Sequence, residues 1–203
     1  MSARLFADDV VFFQRLLKAE KLYKKALDGI WGPFTERAAN QFEERSEQIR
    51  DRTWEYDFRT ETNIRTLALA AQREARLFMG KVLDAGINAK IISGTRTYAE
   101  QNKLFRQGRY GNPGSVVTYA RGGRSHHNFG IAWDIGIFTS TGGYVTASTF
   151  YDKAARAGLT QALAWGGDWV TFVDKPHYQL KLRFPLQVVR AKFEVGEDYI
   201  VLA

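Results

Sequence analysis

The chain has 203 residues, of which 45% are hydrophobic and 14% aromatic, enough for the core of one domain with or without a small module. It contains no cysteine, which excludes disulfides and thiolate metal sites, so a metal ion would have to be held by histidine and carboxylate groups. The formal charge of +7 favours an anionic partner. None of the usual nucleic-acid-binding motifs appears, and we expect no nucleic acid partner.

The N-terminal part of the chain predicts a small helical module. Apolar residues at helical spacing indicate a first helix over residues 8–27. A turn rich in glycine and proline follows at residues 27–33 and opens a second helix, on which Phe34, Ala38 and Phe42 recur every four residues.

Beyond this module the chain becomes strongly charged. Residues 43–56 are typical of a solvated helix or linker. We therefore place a domain boundary here, between a module of residues 1–50 and a second domain of residues 51–203. Residues 62–85 predict one long helix, stopped by Gly86.

A short apolar strand over residues 89–93 leads into a helix start. The pattern Thr97-x-x-Glu100 is a capping box, because each of its side chains can satisfy a free backbone N–H at the first helical turn. The box places Arg96 and Gln101 at a strand-to-helix corner.

Residues 130–138 alternate large apolar side chains with small ones, which predicts a strand with one face toward the core. The opposite face is nearly bare around the carboxylate of Asp134, which leaves room for a ligand beside it. His127 lies seven residues before Asp134, just ahead of the strand. Further helices are predicted over residues 151–164 and 185–193.

A later segment carries the complementary pattern. After Asp174, the side chains of His177 and Gln179 are expected on one face of another strand. Two imidazoles and the carboxylate of Asp134 could then converge, and such a set leaves one tetrahedral position of zinc open, as in catalytic sites. Asp174 would lie beside the metal, where a general base for a zinc-activated water belongs.

These segments carry a family resemblance. Ser-x-His-x-x-Gly-x-Ala-x-Asp at residues 125–134, followed by Asp-x-x-His at residues 174–177, resembles the M15 (LAS, VanY-type) zinc peptidases, which include D-Ala-D-Ala carboxypeptidases. Within them the chain most resembles the L-alanyl-D-glutamate endopeptidases of phage endolysins, and residues 93–101 and 165–169 agree with this. The resemblance implies an α+β fold, with helices around a small antiparallel sheet that carries the zinc site.

The resemblance also implies roles for particular residues: three zinc ligands, one acid–base group, one oxyanion-stabilising arginine and two substrate-binding side chains. In that order they are His127, Asp134, His177, Asp174, Arg96, Ser125 and Gln101. His127 is selected over the adjacent His126, because the family pattern has glycine three residues after the ligand.

A second resemblance lies in the N-terminal module. Asp28-Gly29-x-Trp31-Gly32-Pro33-x-Thr35 is similar to the small three-helix peptidoglycan-binding module of type 1. It implies that residues 1–50 bind the cell wall. The alternative is a helical hairpin that only packs on the enzyme.

Together the resemblances imply a bacteriolytic endolysin that hydrolyses the stem peptide of peptidoglycan, with the L-Ala–D-Glu bond preferred. D-Ala-D-Ala carboxypeptidase activity stays open, because pocket shape decides between the two bonds. A non-catalytic wall-binding protein is a further alternative that would need vestigial metal residues. We expect a monomer without integral membrane association. No signal peptide is recognised, so we expect synthesis in the host cytoplasm and action on the wall, in the periplasm, after release.

Overall fold

The computed structural model describes residues 7–203, which form seven α-helices around a five-stranded sheet. The helices are α1 (Ala7–Ala19), α2 (Pro33–Asp51), α3 (Phe58–Arg65), α4 (Leu69–Asp84), α5 (Tyr98–Arg106), α6 (Ser148–Gly158) and α7 (Leu186–Val195). The strands are β1 (Ala89–Ser93), β2 (Ala132–Phe138), β3 (Tyr144–Val145), β4 (Leu163–Trp165) and β5 (His177–Leu180). Among these residues no helix is both long and apolar enough to cross a bilayer.

The sheet has the strand order β1-β2-β5-β4, and β3 pairs with the end of β2. Every pairing is antiparallel. This confirms the expected α+β fold, a small antiparallel sheet with flanking helices. The pairing of β2 with β5 sets Asp134 directly opposite His177, so the register of two central strands decides the geometry of the site.

The alternation predicted for residues 130–138 is confirmed. Trp133, Ile135 and Ile137 of β2 are buried on the face that packs against α4. Phe78 of α4 contacts this face, with its ring 4.2 Å from that of Tyr178 on β5. Burial of such large side chains stabilises the sheet and leaves Asp134 on the opposite face.

The first helix is shorter than predicted, ending at Ala19 rather than residue 27. The chain turns at Lys21, which has a positive φ of 63°. The backbone N–H groups of Leu22 and Tyr23 then both donate to the carbonyl of Leu17, and the ring of Tyr23 is buried. Burial of Tyr23 accompanies the return of the chain across the end of α1.

The single helix predicted for residues 62–85 is wrong, since α3 and α4 are separate there. The break lies at Ala68, whose backbone is extended and whose N–H donates to the carbonyl of Gly130 (2.9 Å). The next N–H, of Leu69, donates to the carboxylate of Glu20 (2.9 Å). Tertiary hydrogen bonds therefore replace the helical ones at this point.

In the C-terminal half, the helix predicted over residues 151–164 differs from the observed helix α6. It starts at Ser148 rather than residue 151 and ends at Gly158, and residues 163–165 form β4 instead of its last turn. Pairing with β5 supplies the hydrogen bonds that a helix would otherwise make. The helix predicted over residues 185–193 is confirmed as α7.

The N-terminal motif is organised around one buried amide, Gln14. Its Nε2 donates to the side chains of Asp28 (2.8 Å) and Thr35 (3.1 Å), and its Oε1 accepts from the backbone N–H groups of Asp28 and Gly29 (both 3.1 Å). The spacing of this motif thus serves folding, because it places hydrogen-bond partners around a fully buried polar side chain. Residues 1–6 of the predicted module lie outside the described residues.

The described part of the module packs onto the rest of the chain. α1 contacts α7, α2 contacts α4, and their buried side chains join one continuous core. A hydrogen bond from Ser46 of α2 to Gln72 of α4 (2.6 Å) adds to this contact. The boundary proposed near residue 50 falls in the last turn of α2.

A buried ion pair stabilises the α3–α4 corner, and its loss should destabilise the protein. The fully buried guanidinium of Arg76 donates to both oxygens of Glu61 (2.8 and 2.6 Å). We expect Glu61→Gln to lower the free energy of unfolding by about 3–5 kcal/mol, because it leaves a buried charge uncompensated. Urea denaturation measures this.

The exposed pair between Arg65 and Glu43 (2.9 Å) provides the control. Glu43→Gln should cost less than about 1 kcal/mol, since solvent screens an exposed pair. Equal effects of the two substitutions would contradict the stabilising role of the buried pair.

Candidate metal centre and active-site cleft

Three segments bring the predicted metal ligands together. His127 lies on a 3-10 turn, His126–Phe129, that ends at Gly130 with a φ of +65°. A Cβ at Gly130 would lie 2.9 Å from the backbone nitrogen of Ala68, so glycine is needed both for the conformation and for the close approach. The turn points His127 toward Asp134 and His177 on the adjacent strands.

The three donor atoms form a nearly equilateral triangle. Nε2 of His127 lies 3.1 Å from Oδ1 of Asp134 and 3.2 Å from Nδ1 of His177. Nδ1 of His177 lies 3.1 Å from the same Asp134 oxygen. Ligands of a tetrahedral zinc ion, about 2.0–2.1 Å from the metal, are roughly 3.3 Å apart. Among the described residues this is the group of His and carboxylate side chains that could hold a metal ion.

Hydrogen bonds on the far side of each imidazole leave lone pairs at the centre of the triangle. Nδ1–H of His127 donates to the carbonyl of Gly94 (2.7 Å), so its Nε2 is the unprotonated nitrogen. Nε2–H of His177 donates to Oε1 of Gln179 (3.0 Å), which leaves Nδ1 as the lone pair. Two nitrogen lone pairs and a carboxylate oxygen then face one another, an arrangement that a cation satisfies.

The electrostatics of the triangle agree with a cation site. Burial raises the pKa of Asp134, but His127 and His177 outweigh this and hold it well below the usual range, so the carboxylate stays ionised. Burial lowers the pKa of His127. Burial also lowers that of His177, but the carboxylate of Asp134 reverses the shift and raises its pKa. A metal ion would therefore compete with a proton at His177.

The histidine that was not selected as a ligand, His126, lies beside the triangle and contacts a different residue. His126 lines the cleft beside the triangle, and its Nε2 accepts a hydrogen bond from the amide of Gln179 (3.3 Å). Burial, with the neighbouring imidazoles, lowers the pKa of His126 to about 4, so the ring is neutral at pH 7. His126 thus contacts Gln179, whose Oε1 accepts the hydrogen bond from His177.

Arg96 and Gln101 form a chain of contacts that reaches the triangle. The guanidinium of Arg96 pairs with Oδ2 of Asp134, the oxygen turned away from the two histidines, and with Oγ of Ser93 (2.9 Å). Oε1 of Gln101 accepts a hydrogen bond from Arg96 (3.3 Å), and its amide donates to the carbonyl of Ala120 (2.9 Å). Gln101 is fully buried and does not line the cleft.

Asn128 is a site residue to which the sequence analysis assigned no role. Its Oδ1 accepts from the backbone N–H of Gly123 (2.9 Å) and of Ser125 (3.3 Å), while its Nδ2 donates to the carbonyl of Arg96 (2.9 Å). The fully buried amide thus ties the backbone at Arg96 and the backbone of residues 123–125 to the turn that carries His127. In the sequence, the signal for this role was that Asn128 directly follows His127. Asparagine is common in turns, so its presence there did not by itself indicate a role in the site.

Asp174 lies on the turn that leads into His177. Its backbone N–H donates to the carbonyl of Gly166 (2.9 Å), and its own carbonyl accepts from the N–H of His177 (3.1 Å). The indole of Trp165 donates to the carbonyl of Lys175 within the same turn (2.7 Å). Burial, and then the negative charge of Asp134, raise the pKa of Asp174, which brings this carboxylate nearer to the range of an acid–base group.

Gly166 allows this turn to pass close to the sheet, and filling it should reduce activity. A Cβ there would overlap the carbonyl oxygen of Asp174 and lie 3.1 Å from Cβ of His177. We expect Gly166→Ala to lower kcat by roughly 10- to 100-fold, because a displacement of about 1 Å at a catalytic site can cost as much. Steady-state hydrolysis of a soluble muropeptide measures the effect.

Gly32→Ala is the matched control, since a Cβ at Gly32 meets nothing within 4 Å and its φ of −120° suits alanine. Wild-type kcat in both variants would show that the Asp174 turn tolerates displacement.

The triangle lies at the wall of an open cleft of about 690 Å³, a size typical of small-ligand sites. Ser125, Arg96 and Asp174 line the same cleft. Across it, the ring of Tyr119 meets that of Phe172 edge-on at 5.3 Å, so two loops close one side. A His–Asp–His donor set beside a further carboxylate, in an open cleft, is an arrangement typical of metal-dependent hydrolases.

Comparison with known proteins shows which families part of this chain is similar to. Residues 118–180 match the peptidase M15 family model that is described as D-alanyl-D-alanine carboxypeptidase. The peptidoglycan L-alanyl-D-glutamate endopeptidase CwlK of Bacillus subtilis (strain 168) is 35% identical over 104 residues, which are 47% of this chain and 62% of CwlK. The chain thus spans less than two thirds of the length of this relative.

One solved structure is also similar. The crystal structure of the Serratia marcescens L-Ala D-Glu endopeptidase ChiX has 27% sequence identity and a TM-score of 0.47, and the match covers 63% of this chain and 90% of ChiX. The family match and CwlK confirm the resemblance to the M15 metallopeptidases, and residues 118–180 are the part of the chain that carries it.

Proposed function

We propose that the protein is a zinc-dependent peptidoglycan endopeptidase that hydrolyses the L-Ala–D-Glu bond of the stem peptide. The observation that carries the proposal is the triangle of two imidazole lone pairs and a carboxylate oxygen in an open cleft. The L-alanyl-D-glutamate endopeptidase activity of the relative CwlK supports the choice of bond.

His127, Asp134 and His177 would hold the zinc ion. The donor set fits, because two imidazoles and one carboxylate with no thiolate available are typical of catalytic zinc. When bound, zinc would supply Lewis-acid chemistry, polarising the scissile carbonyl and lowering the pKa of water. The remaining chemistry belongs to side chains of this chain.

Asp174 is the proposed acid–base group. It takes a proton from the attacking water while the oxygen bonds to the carbonyl carbon of L-Ala. It then returns the proton to the nitrogen of D-Glu as the C–N bond breaks. The products are a carboxylic acid and an amine, which ionise to carboxylate and ammonium at neutral pH. The raised pKa of Asp174 supports this role, since the group must both accept and donate a proton.

Arg96 is proposed to stabilise the developing oxyanion, because its guanidinium lines the cleft and pairs with the proposed ligand Asp134. Ser125 is proposed to bind substrate from the same wall. For Gln101, also predicted to bind substrate, burial supports action through Arg96, whose guanidinium it orients.

D-Ala-D-Ala carboxypeptidase activity is the second candidate, favoured by the description of the matching family. The two substrates share their chemistry at the scissile bond, because in each a D-residue with a free α-carboxylate follows it. They differ beyond that residue: after D-Glu the peptide continues through the side-chain carboxyl group, whereas the terminal D-Ala ends the chain. The bond can therefore be assigned only from products.

Mass spectrometry of a defined soluble pentapeptide muropeptide tests both candidates. Cleavage at L-Ala–D-Glu releases a tetrapeptide that begins with D-Glu, whereas carboxypeptidase activity releases free D-Ala. Release of D-Ala alone would overturn the endopeptidase proposal. An intact muropeptide after incubation with zinc-loaded protein would overturn both and leave a wall-binding protein.

We further propose that the chain acts as a bacteriolytic endolysin of a phage, with residues 1–50 as its wall-binding module. In this role a monomer would be made in the host cytoplasm and reach the peptidoglycan after release. The net charge of +7 supports attraction to the anionic envelope. Turbidity loss of outer-membrane-permeabilised cells, abolished by a chelator and restored by zinc, tests the lytic role.

A further inference from the structure

The N-terminal module contains a groove that the resemblance did not point to. It has a volume of about 720 Å³ and lies between the segment 21–25 and one face of α2. The α2 residues that line it recur every three or four positions from Phe34 to Gln48, so they form one stripe along the helix. At 1.5 Å per residue the groove is roughly 20 Å long.

The groove is strongly cationic. Its lining contains five basic residues and a single acid, Glu44; the basic residues are Lys21, Lys24, Lys25, Arg37 and Arg45. Lys21 pairs with Asp198 (3.3 Å). Within residues 7–203 the side chains of Lys24, Lys25 and Arg37 form no ion pair with a carboxylate, and all three residues are exposed. Their charges are therefore available to an anionic ligand.

The other residues that line the groove indicate which kind of anionic ligand fits it. The amides of Gln41 and Gln48 line the groove and can donate and accept hydrogen bonds. The ring of Phe34 has the ammonium of Lys25 over it, 4.5 Å from its centroid, so that face is not open for stacking a nucleobase. An extended polymer that carries carboxylates and hydrogen-bonding groups fits this lining.

We propose that this groove binds the carboxylate-bearing stem peptides of a peptidoglycan strand and thereby holds the enzyme on the wall. The inference rests on the proposed function for the identity of the polymer. The Asp28–Thr35 motif would then build the module around Gln14, while a different surface makes the contact. Binding by such charges weakens with salt, because exposed charges are screened over about 10 Å at 0.1 M.

Charge reversal tests the proposal in the full chain. The groove variant carries Lys24→Glu, Lys25→Glu and Arg37→Glu. The control variant carries Arg73→Glu, Lys81→Glu and Lys153→Glu, three exposed cations that do not line the groove. Both variants replace two lysines and one arginine, so the change in net charge is the same.

Binding is measured by co-sedimentation with purified sacculi at low and high salt, with Asp174→Asn added to each protein so that the sacculi stay intact. We expect the groove variant to bind at least 10-fold more weakly than the control variant. With Asp174 retained, both variants should hydrolyse a soluble muropeptide at the wild-type rate, which also shows that they are folded.

Equal binding of the two variants to sacculi would overturn the proposal. So would retention of the parent protein by phosphatidylglycerol–phosphatidylcholine vesicles but not by sacculi, since the ligand would then be an anionic lipid surface. Failure of the proposed function has a different signature, because the parent protein would bind sacculi through the groove without cleaving any muropeptide.

Discussion

Replacing His127 by alanine is expected to abolish metal binding and hydrolysis. The substitution removes one of three donor atoms that lie 3.1–3.2 Å apart and leaves two, too few to hold a catalytic zinc ion firmly. We expect hydrolysis to fall by at least about 10³-fold, because the Lewis acid supplies several kcal/mol of transition-state stabilisation. Inductively coupled plasma mass spectrometry of purified protein measures the metal content.

The adjacent histidine provides a matched control. His126 lines the same cleft, but its Nε2 bonds to Gln179 rather than to the triangle. His126→Ala should keep stoichiometric metal and most of the activity. If His126→Ala lost the metal and His127→Ala retained it, His126 would be the ligand in place of His127. That result would contradict the geometry proposed for the site.

Substitution of Asp174 by asparagine separates chemistry from metal binding. The amide keeps the size of the side chain but cannot accept the proton of the attacking water. We expect kcat to fall by about 10²–10⁴-fold, the contribution typical of a positioned acid–base group. Zinc content should stay unchanged, because Asp174 is not among the converging donors.

Asp168→Asn is the corresponding control, since Asp168 is an exposed carboxylate six residues before Asp174 in the same connection. It should retain wild-type kcat. If Asp174→Asn loses zinc together with activity, Asp174 is a ligand and the proposed division of roles fails. If it retains both, the acid–base group lies elsewhere.

Much of the site could be predicted because its residues lie in short segments with a strong local pattern. The alternation around Asp134 indicates a strand with a bare face, and the structure has that strand as β2. The capping box at Thr97 is present as predicted. Such patterns need only neighbouring residues, so they can be read without knowledge of the fold.

Other features depend on partners that are distant in the chain. The break between α3 and α4 follows from a hydrogen bond to Gly130, more than 60 residues away, which no local propensity indicates. β4 forms because β5 offers it an edge. The role of Asn128, which holds the backbone at Gly123 and Arg96, likewise appears only when these segments are folded together.

The sequence by itself determined the types of group at the site: two imidazoles, two carboxylates and an arginine, each within a recognisable segment. Tertiary structure alone decided how they meet. The antiparallel register of β2 and β5 sets Asp134 opposite His177, and the turn at Gly130 brings in His127. The physical reason is that periodicity fixes which face a side chain occupies, whereas distances between segments depend on the pairing and packing of the whole chain.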